Sequence, residues 1–416
     1  MSIANLEVLR NDMKKCVRCS LCKMVPMPTV QQTKFISACP PVDEYHFHAY
    51  SGGGISVMAL AHLDGRIKID TDLAKIVSAC TTCGMCDVSC KFIMAAERQE
   101  IIIALKEALA DQGLAPPLTD EPAITLPHWA TGLNLKVIPK EKANILLLVG
   151  SGSNYNEKHA STARKLATLL QLAKVDFGIL DGYEPTIGIK AYSTGHHKEF
   201  SDLANHIVQK INNSGAKTII TLCGEDLGML RSKYPHYGFN FQAKVYHASE
   251  FLIKLIKKKK IKLTKRITKT VTYHDPCYLG RQSEPIEQWE GEERQTHGVM
   301  RYFVPKKPIN FGSNGVYDEP RAILQAIPGV KFVEMHRIRE YGYCCGGGGG
   351  VPETHPNVSK TAALQRMDEA RDVNADLIVT GCQNCSLTLN RWRTENQIPT
   401  MDIVDLVYQA TGLEDP

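Results

Sequence analysis

The sequence lacks the features of a membrane-spanning or exported chain. No apolar run reaches the roughly 18–20 residues that cross a bilayer, and the longest, such as Ile145–Val149, have the length of a strand. The first ten residues, Met1–Arg10, mix acidic, basic and polar side chains and contain no apolar signal core. We therefore expect a cytoplasmic protein that reaches the inner face of a membrane only through a partner.

Signatures of nucleic-acid and nucleotide binding are also missing. The 49 basic and 44 acidic residues give a net charge of only +5, and aromatic and basic residues are not interleaved as in proteins that bind single strands. No GxGxxG motif stands between a strand and a helix with an acidic residue about 20 positions further on. We expect no nucleic-acid partner, and no flavin or nucleotide held by this chain.

Cysteine is the residue type that the sequence has in excess. A cytosolic chain does not favour disulfides, so 14 cysteines in 416 residues indicate metal or redox chemistry. They are clustered, with none between Cys90 and Cys223. The clustering predicts two separate metal-binding regions in a chain of two to four domains.

The N-terminal cysteines have the spacing of a two-cluster ferredoxin. Each CxxCxxC triplet surrounds three corners of a [4Fe–4S] cube, and the fourth cysteine of each run ligates the other cluster. We therefore predict two cubane clusters, with ligands Cys16, Cys19, Cys22 and Cys90 (group 1) and Cys80, Cys83, Cys86 and Cys39 (group 2). The alternative is structural zinc, which also uses CxxC pairs but leaves a purified protein colourless.

The rest of the chain alternates strands and helices, which predicts parallel-sheet α/β units. The segment Gly215–Cys223 aligns with Asn374–Cys382 at an offset of 159 residues, so we infer an internal duplication. The predicted organisation comprises a helical two-cluster ferredoxin-like domain at 1–113, a surface linker at 114–142, an α/β domain at 143–253, a basic linker at 254–269, and a second α/β domain at 270–416.

A third set of cysteines falls in the second α/β domain. These residues are Cys277, Cys344, Cys345, Cys382 and Cys385 (the CCG group). Each follows a predicted strand, so all can converge at one edge of a parallel sheet. Five thiolates exceed the four that zinc takes and suit an iron–sulfur cluster. The glycine run Gly346–Gly350 lets backbone N–H groups approach the sulfur atoms.

These motifs resemble a known family. The CCG motif, the doubled βαβ unit and the preceding ferredoxin pair look like the heterodisulfide reductase D-type subunit, and are similar to the glycolate oxidase iron–sulfur subunit and the K subunit of the sulfite-reduction membrane complex. The segments His274–Arg281 and Tyr317–Arg321 are similar to the family's sequence around its first ligand. The resemblance implies that the CCG group holds one [4Fe–4S] cluster, of cubane or noncubane form.

Two departures from the family pattern stand out. Cys277 and Cys344 are separated by 66 residues, so we infer a surface insertion at about 282–313 that covers the site or contacts a partner. The first α/β domain has Thr186–Gly188 where a CCG motif would stand, which makes it a degenerate CCG-type unit with a structural role. We interpret Cys223 as its buried, inert remnant. Histidines that flank the CCG motif, His274 and His336, are candidate proton donors, although surface or core histidine is the default interpretation.

The sequence favours an electron-transfer subunit of an anaerobic-type oxidoreductase complex. Its partners would be a flavoprotein, a membrane quinone-linked subunit or a ferredoxin-type carrier. Whether the chain is itself an enzyme stays open. The first alternative is a heterodisulfide reductase-like catalytic subunit that cleaves an S–S bond at the CCG cluster, and a further one is the iron–sulfur subunit of a glycolate/lactate-type or acyl-CoA-linked oxidoreductase. The basic run Lys254–Arg266 is a solvated linker or a docking patch for an acidic subunit.

Overall fold

The computed structural model describes residues 5–26, 33–118, 124–287, 289–296, 300–395 and 397–414. The N-terminal region is helical. Its helices are α1 (Arg10–Lys14), α2 (Pro40–Tyr45), α3 (Gly52–Leu63), α4 (Thr71–Ser78), α5 (Met85–Met94) and α6 (Arg98–Asp111). Asp70 caps α4 by accepting from the Leu73 N–H, and Ser51 caps α3 in the same way. Short helices leave long connecting segments, which carry most of the N-terminal cysteines, whereas Cys86 and Cys90 lie in α5.

The first α/β unit contains a five-stranded parallel sheet in the order β1-β3-β2-β4-β5. Its strands are β1 (Lys136–Ile138), β2 (Ile145–Leu148), β3 (Phe177–Leu180), β4 (Thr218–Thr221) and β5 (Lys244–His247). Its helices are α7 (Glu157–Leu172), α8 (Ile189–Thr194), α9 (His197–Ser214), α10 (Gly224–Gly228), α11 (Tyr234–His236) and α12 (Ala248–Lys257). The central strands are apolar and buried on both faces, as helix-covered parallel strands require.

The second unit repeats this plan. Its four-stranded parallel sheet has the order β11-β10-β6-β9. Its strands are β6 (Lys269–His274), β9 (Val330–Phe332), β10 (Leu377–Thr380) and β11 (Thr400–Asp402). Its helices are α13 (Asp318–Ala326), α14 (Val351–Thr354), α15 (Pro356–Asp372), α16 (Gln383–Trp392) and α17 (Ile403–Thr411). Read from the opposite edge, β9-β6-β10-β11 matches β3-β2-β4-β5, so the predicted fold class and the internal duplication are confirmed.

The segment expected as a surface linker, 114–142, differs from that expectation in its second half; residues 119–123 lie outside the described part of the chain. Trp129 is 2% exposed, and β1 adds an edge strand beside β3. The prolines of this segment argued against a strand, because proline in a sheet is confined largely to edge strands. The strand β1 is such an edge strand. An apolar core runs from this segment through both units, from Trp129 and Leu147 to Val379 and Val407.

The predicted insertion forms an antiparallel hairpin of β7 (Glu292–Thr296) and β8 (Met300–Val304). Residues 288 and 297–299 of the insertion lie outside the described part of the chain. The insertion contacts the ferredoxin-like region: Glu293 of β7 pairs with Lys15 at 3.0 Å, and Phe311, which follows the hairpin, meets Phe92 edge-on. It therefore lies beside group 1. Among the described residues, no helix combines the length and the apolar character needed to cross a bilayer.

Candidate metal centres

Group 1 surrounds the start of α3. A Cβ at Gly53 would lie 3.3 Å from the Cys22 sulfur and 3.5 Å from that of Cys16, so the helix backbone contacts the first triplet. Arg98 donates from Nε to the Cys90 sulfur at 2.9 Å, and its charge also acts on Cys16. The cysteine from the second run is thus placed with the first triplet.

Group 2 lines a single pocket, with Cys39, Cys80, Cys83 and Cys86 all on its wall. Cys39 is the residue before α2, and the other three occupy the loop between α4 and α5 and the first turn of α5. The N-terminus of α3 also contacts this group, because a Cβ at Gly52 would lie 2.9 Å from the Cys86 sulfur. The consecutive glycines Gly52 and Gly53 thus contact both groups. The positive end of the α3 dipole therefore faces the cysteine sulfur atoms, which carry negative charge as thiolates.

The CCG group lies at the carboxyl edge of the second sheet. Cys277 follows β6, the Cys344–Cys345 pair precedes α14, and Cys382 and Cys385 begin α16. The sulfur atoms of Cys345 and Cys385 are 3.3 Å apart, and the Gly346 N–H donates to the Cys344 sulfur at 3.3 Å. Hydrogen bonds from the neighbouring thiols of Cys344 and Cys385 lower the pKa of Cys345 to about 5, which favours a ligating thiolate.

The CCG group and group 2 are in direct contact. The Cys344 sulfur lies 3.5 Å from the Thr81 hydroxyl, and Cys344 and Cys83 are buried in one apolar cluster. The glycine run makes this approach possible: a Cβ at Gly348 would lie 2.5 Å from the Thr81 carbonyl oxygen. The glycines therefore bring one cysteine loop against the other, a role that the sequence does not reveal.

Three buried cations stand beside these groups and were not predicted. Arg98 contacts group 1 as described. Lys106 donates to the Cys80 and Ser193 carbonyls at 3.0 and 2.9 Å, and burial lowers its pKa to about 8. Arg281 donates to the Cys83 carbonyl at 2.7 Å, between group 2 and Cys277. Buried positive charge offsets the negative charge of thiolate-bound iron–sulfur centres.

The position of Cys223 adds a contact that its interpretation as an inert remnant did not include. It is buried, as expected, but its sulfur lies 3.7 Å from that of Cys382. The two turns also pair with each other, since the Gly224 N–H donates to the Gly381 carbonyl and Asn384 donates to Glu225. Cys223 is therefore a neighbour of the CCG group.

The degenerate unit has a carboxylate near the place of its missing cysteines. Glu184 accepts from the N–H groups of Val149 and Gly150 at 2.8–3.1 Å. Burial raises the pKa of Glu184 to about 7. Burial also raises the pKa of the neighbouring Asp226. This carboxylate set stands where thiolates would be needed for a second CCG-type cluster.

The two candidate histidines are placed differently. His336 stacks on Phe35 near the surface and bonds to Asp372 at 2.7 Å, so it does not serve the CCG group. His274 is buried, and one of its ring nitrogens lies with the Cys345 and Cys385 sulfur atoms in a set whose members are all within 4.8 Å of one another.

The predicted ligands therefore lie near one another at these sites, and soft thiolate donors at these spacings fit iron–sulfur clusters. The comparisons with known families agree. Residues 12–93 match the family described as 4Fe-4S dicluster domain, and residues 302–390 match the family described as Cysteine-rich domain, CCG.

Curated relatives cover most of the chain. It is 31% identical to the D-type component of the dihydromethanophenazine:CoB–CoM heterodisulfide reductase of Methanosarcina mazei, over 81% of this chain and 78% of the relative. It is 30% identical to the probable iron-sulfur-binding oxidoreductase FadF of Bacillus subtilis over 87% of this chain, although it spans only half of that protein. The EtfAB:quinone oxidoreductase of Syntrophomonas wolfei is 28% identical over 64% of this chain and 34% of that relative. The chain belongs to the heterodisulfide reductase D-type family of iron–sulfur oxidoreductase components.

Proposed function

We propose that this chain is an electron-transfer subunit that conducts electrons between a cubane at group 1, which has the one exposed cysteine, a half-buried cubane at group 2 and a [4Fe–4S] cluster at the CCG group. The observation that carries the proposal is the contact between group 2 and the CCG group, through Thr81 and Cys344. The two cysteine regions are far apart in sequence but adjacent in space.

The order of the three groups follows from their burial. Cys19 of group 1 is the only exposed one among the fourteen cysteines, all of which lie in described residues. Group 2 shares the start of α3 with group 1 and shares an apolar cluster with Cys344. Electrons can therefore pass from the surface through group 2 to the interior without a domain movement.

A second function is favoured by the number of thiols at the CCG group. Five cysteines for four irons allow one thiolate to bridge two irons, which suits sulfur chemistry such as cleavage of an organic disulfide. Against it, only one of the two α/β units has a CCG motif. The relative from Methanosarcina mazei is named as part of a heterodisulfide reductase, so disulfide cleavage is the alternative to test.

The proposal is tested with variants that each remove one cluster. Cys39→Ala should delete the group 2 cluster, and freeze-quenched electron paramagnetic resonance should then show slow reduction of the CCG cluster while the group 1 cluster is reduced at the normal rate. The wild-type chain should hold roughly twelve irons, from three clusters of four. An unchanged rate at the CCG cluster in this variant would contradict the proposed order.

Turnover of an organic disulfide decides between the two functions. With reduced methyl viologen as donor, a relay consumes no disulfide, whereas a catalytic subunit oxidises viologen in proportion to the thiols released. Cys345→Ser, which alters the CCG group only, is the matched control for any activity seen.

A further inference from the structure

We propose that His274 donates a hydrogen bond from its Nε2–H to the sulfur atoms of the CCG centre and raises the reduction potential of the cluster held there. The inference rests on the proposed cluster at the CCG group. In this proposal His274 is a positioning residue, which acts on the cluster through a hydrogen bond and does not bind iron.

The placement of His274 comes from the second sheet. It is the last residue of β6, three positions before Cys277, and is 1% exposed. One of its ring nitrogens and the sulfur atoms of Cys345 and Cys385 all lie within 4.8 Å of one another. That proximity alone fits either a ligand or a hydrogen-bond donor.

Arg366 decides between these two roles. Its Nε lies 3.2 Å from Nδ1 of His274. A guanidinium can only donate, so Nδ1 must be the acceptor, and in the neutral ring the proton is then on Nε2. Arg366 is held in place by Glu369 at 2.6 Å and by the Arg337 carbonyl at 3.1 Å. Burial and the Arg366 charge lower the pKa of His274 to about 3, which agrees with a neutral ring.

The other ring nitrogen is then a donor without a partner. Nε2 of His274 is buried and has no hydrogen-bond partner among the described residues. A protonated nitrogen has no lone pair for iron, but its N–H can bond a thiolate or sulfide. Such a bond stabilises the more negative, reduced cluster and raises its potential.

Spectroscopy on the unmodified protein gives the first test. With ¹⁵N-histidine, the reduced CCG cluster should show a weak nitrogen coupling, which His274→Phe abolishes. A strong coupling would make His274 a ligand, and no coupling would mean that it does not contact the cluster; either result overturns the proposal. If the wild-type protein has no CCG cluster signal, the proposed function fails first.

Potentiometry gives the second test. His274→Phe should keep the iron content and shift the CCG midpoint to lower potential, His274→Gln should restore part of the shift through its amide N–H, and the cubane midpoints should not change. Loss of four irons from the chain or an unchanged midpoint in His274→Phe would overturn the inference.

A different observation carries a second inference: we infer that the surface around group 1 docks an acidic electron-carrier protein. Four apolar side chains flank the group 1 ligands or the neighbouring His48 and are 50–71% exposed, namely Val17, Phe47, Phe92 and Ile93. We call these residues the group 1 face. Exposed apolar residues concentrated in this way mark interaction sites.

The basic residues beside the group 1 face favour a partner with an acidic surface. Arg18 and Lys14 are exposed, and Lys23 stands in the same triplet segment. Burial, and then the charges of Lys23 and Arg18, lower the pKa of His48, which places both cations near that histidine. An apolar centre with basic residues around it complements a carrier with acidic residues around its cofactor. The insertion reaches the same side of the molecule, because Glu293 pairs with Lys15 and Phe311 contacts Phe92.

Charge reversal tests the docking surface, and this inference too rests on the proposed function. With a reduced acidic two-cluster ferredoxin as probe, R18E/K23E should lower the second-order rate of electron transfer at least tenfold at low salt and flatten its salt dependence. The matched control is K257E/K258E, the same charge change on the exposed basic run at the end of α12.

At high salt, which screens the charge of this small cationic donor, reduction by methyl viologen should be equal in all three proteins, since it needs no docking. Equal ferredoxin rates in R18E/K23E and wild type, or an equal loss in K257E/K258E, would overturn the docking surface. Failure of viologen to reduce any cluster would instead contradict the proposed function.

Discussion

Replacing Glu369 with glutamine should destabilise the protein strongly. The Glu369 side chain is 0% exposed and lies between two buried arginines. It accepts from Nε and Nη2 of Arg337 at 3.2 and 3.1 Å and from Nη1 of Arg366 at 2.6 Å. A glutamine is nearly isosteric, so the change removes charge and acceptors without opening a cavity.

The expected cost follows from the uncompensated charge. Removing one partner of a buried ion pair costs about 3–5 kcal/mol, because the remaining charge has no counterion. The amide oxygen retains one hydrogen bond, worth about 1 kcal/mol. We therefore expect the free energy of unfolding to fall by about 2–4 kcal/mol.

The assay is anaerobic urea unfolding followed by circular dichroism, with cluster absorbance recorded in parallel. Arg337 also donates to the Ser37 carbonyl at 2.7 Å, two residues before Cys39, so the group 2 cluster should be released at lower urea than in wild type. The control is Asp368→Asn on the same helix, which removes a surface ion pair with Arg371 and should cost under about 1 kcal/mol. Equal effects of the two substitutions would refute the reasoning.

Three further predictions concern the cysteines and the degenerate unit. Cys345→Ser should alter the CCG cluster signal and spare both cubane signals; simultaneous loss of all three would show that the groups are not independent. Cys223→Ala should keep the iron content but perturb the CCG spectrum, because its sulfur contacts Cys382 at 3.7 Å, and an identical spectrum would restore the interpretation as an inert remnant. Because the pKa of Glu184 is raised to about 7 in the folded protein, folding stability should fall as pH rises from about 4.5 to 7, by about 3 kcal/mol, and Glu184→Gln should flatten this dependence in urea titrations.

Local patterns in the sequence were sufficient for the architecture. The apolar runs that became β2, β4 and β10 are buried strands in a parallel sheet, and the periodic segment that became α6 is a helix. Cysteine spacing predicts thirteen ligands in three groups because iron–sulfur ligand loops are local in sequence. The doubled topology also follows from one local alignment at the offset of 159 residues.

Elements whose stability depends on distant neighbours could not be predicted. The strand β11 has three residues, too few for a periodic signal, and β1 forms only because β3 provides a parallel edge. The contact between Thr81 and Cys344 joins residues 263 positions apart, and the Arg366–His274 bond joins residues 92 apart. No local pattern encodes such pairs, so the route between the groups and the donor beside the CCG group appear only in three dimensions.

The contact made by Gly348 and Gly349 has a consequence for inheritance. The backbone of these glycines lies against the Cys80–Thr81 backbone so closely that any side chain would collide with it. The acceptable residues in the CCG loop are thus determined by a different domain, and the reverse also holds. Recombination between relatives that exchanged only one domain would join two surfaces that had not evolved together. We therefore expect the two iron–sulfur regions to be inherited as one unit.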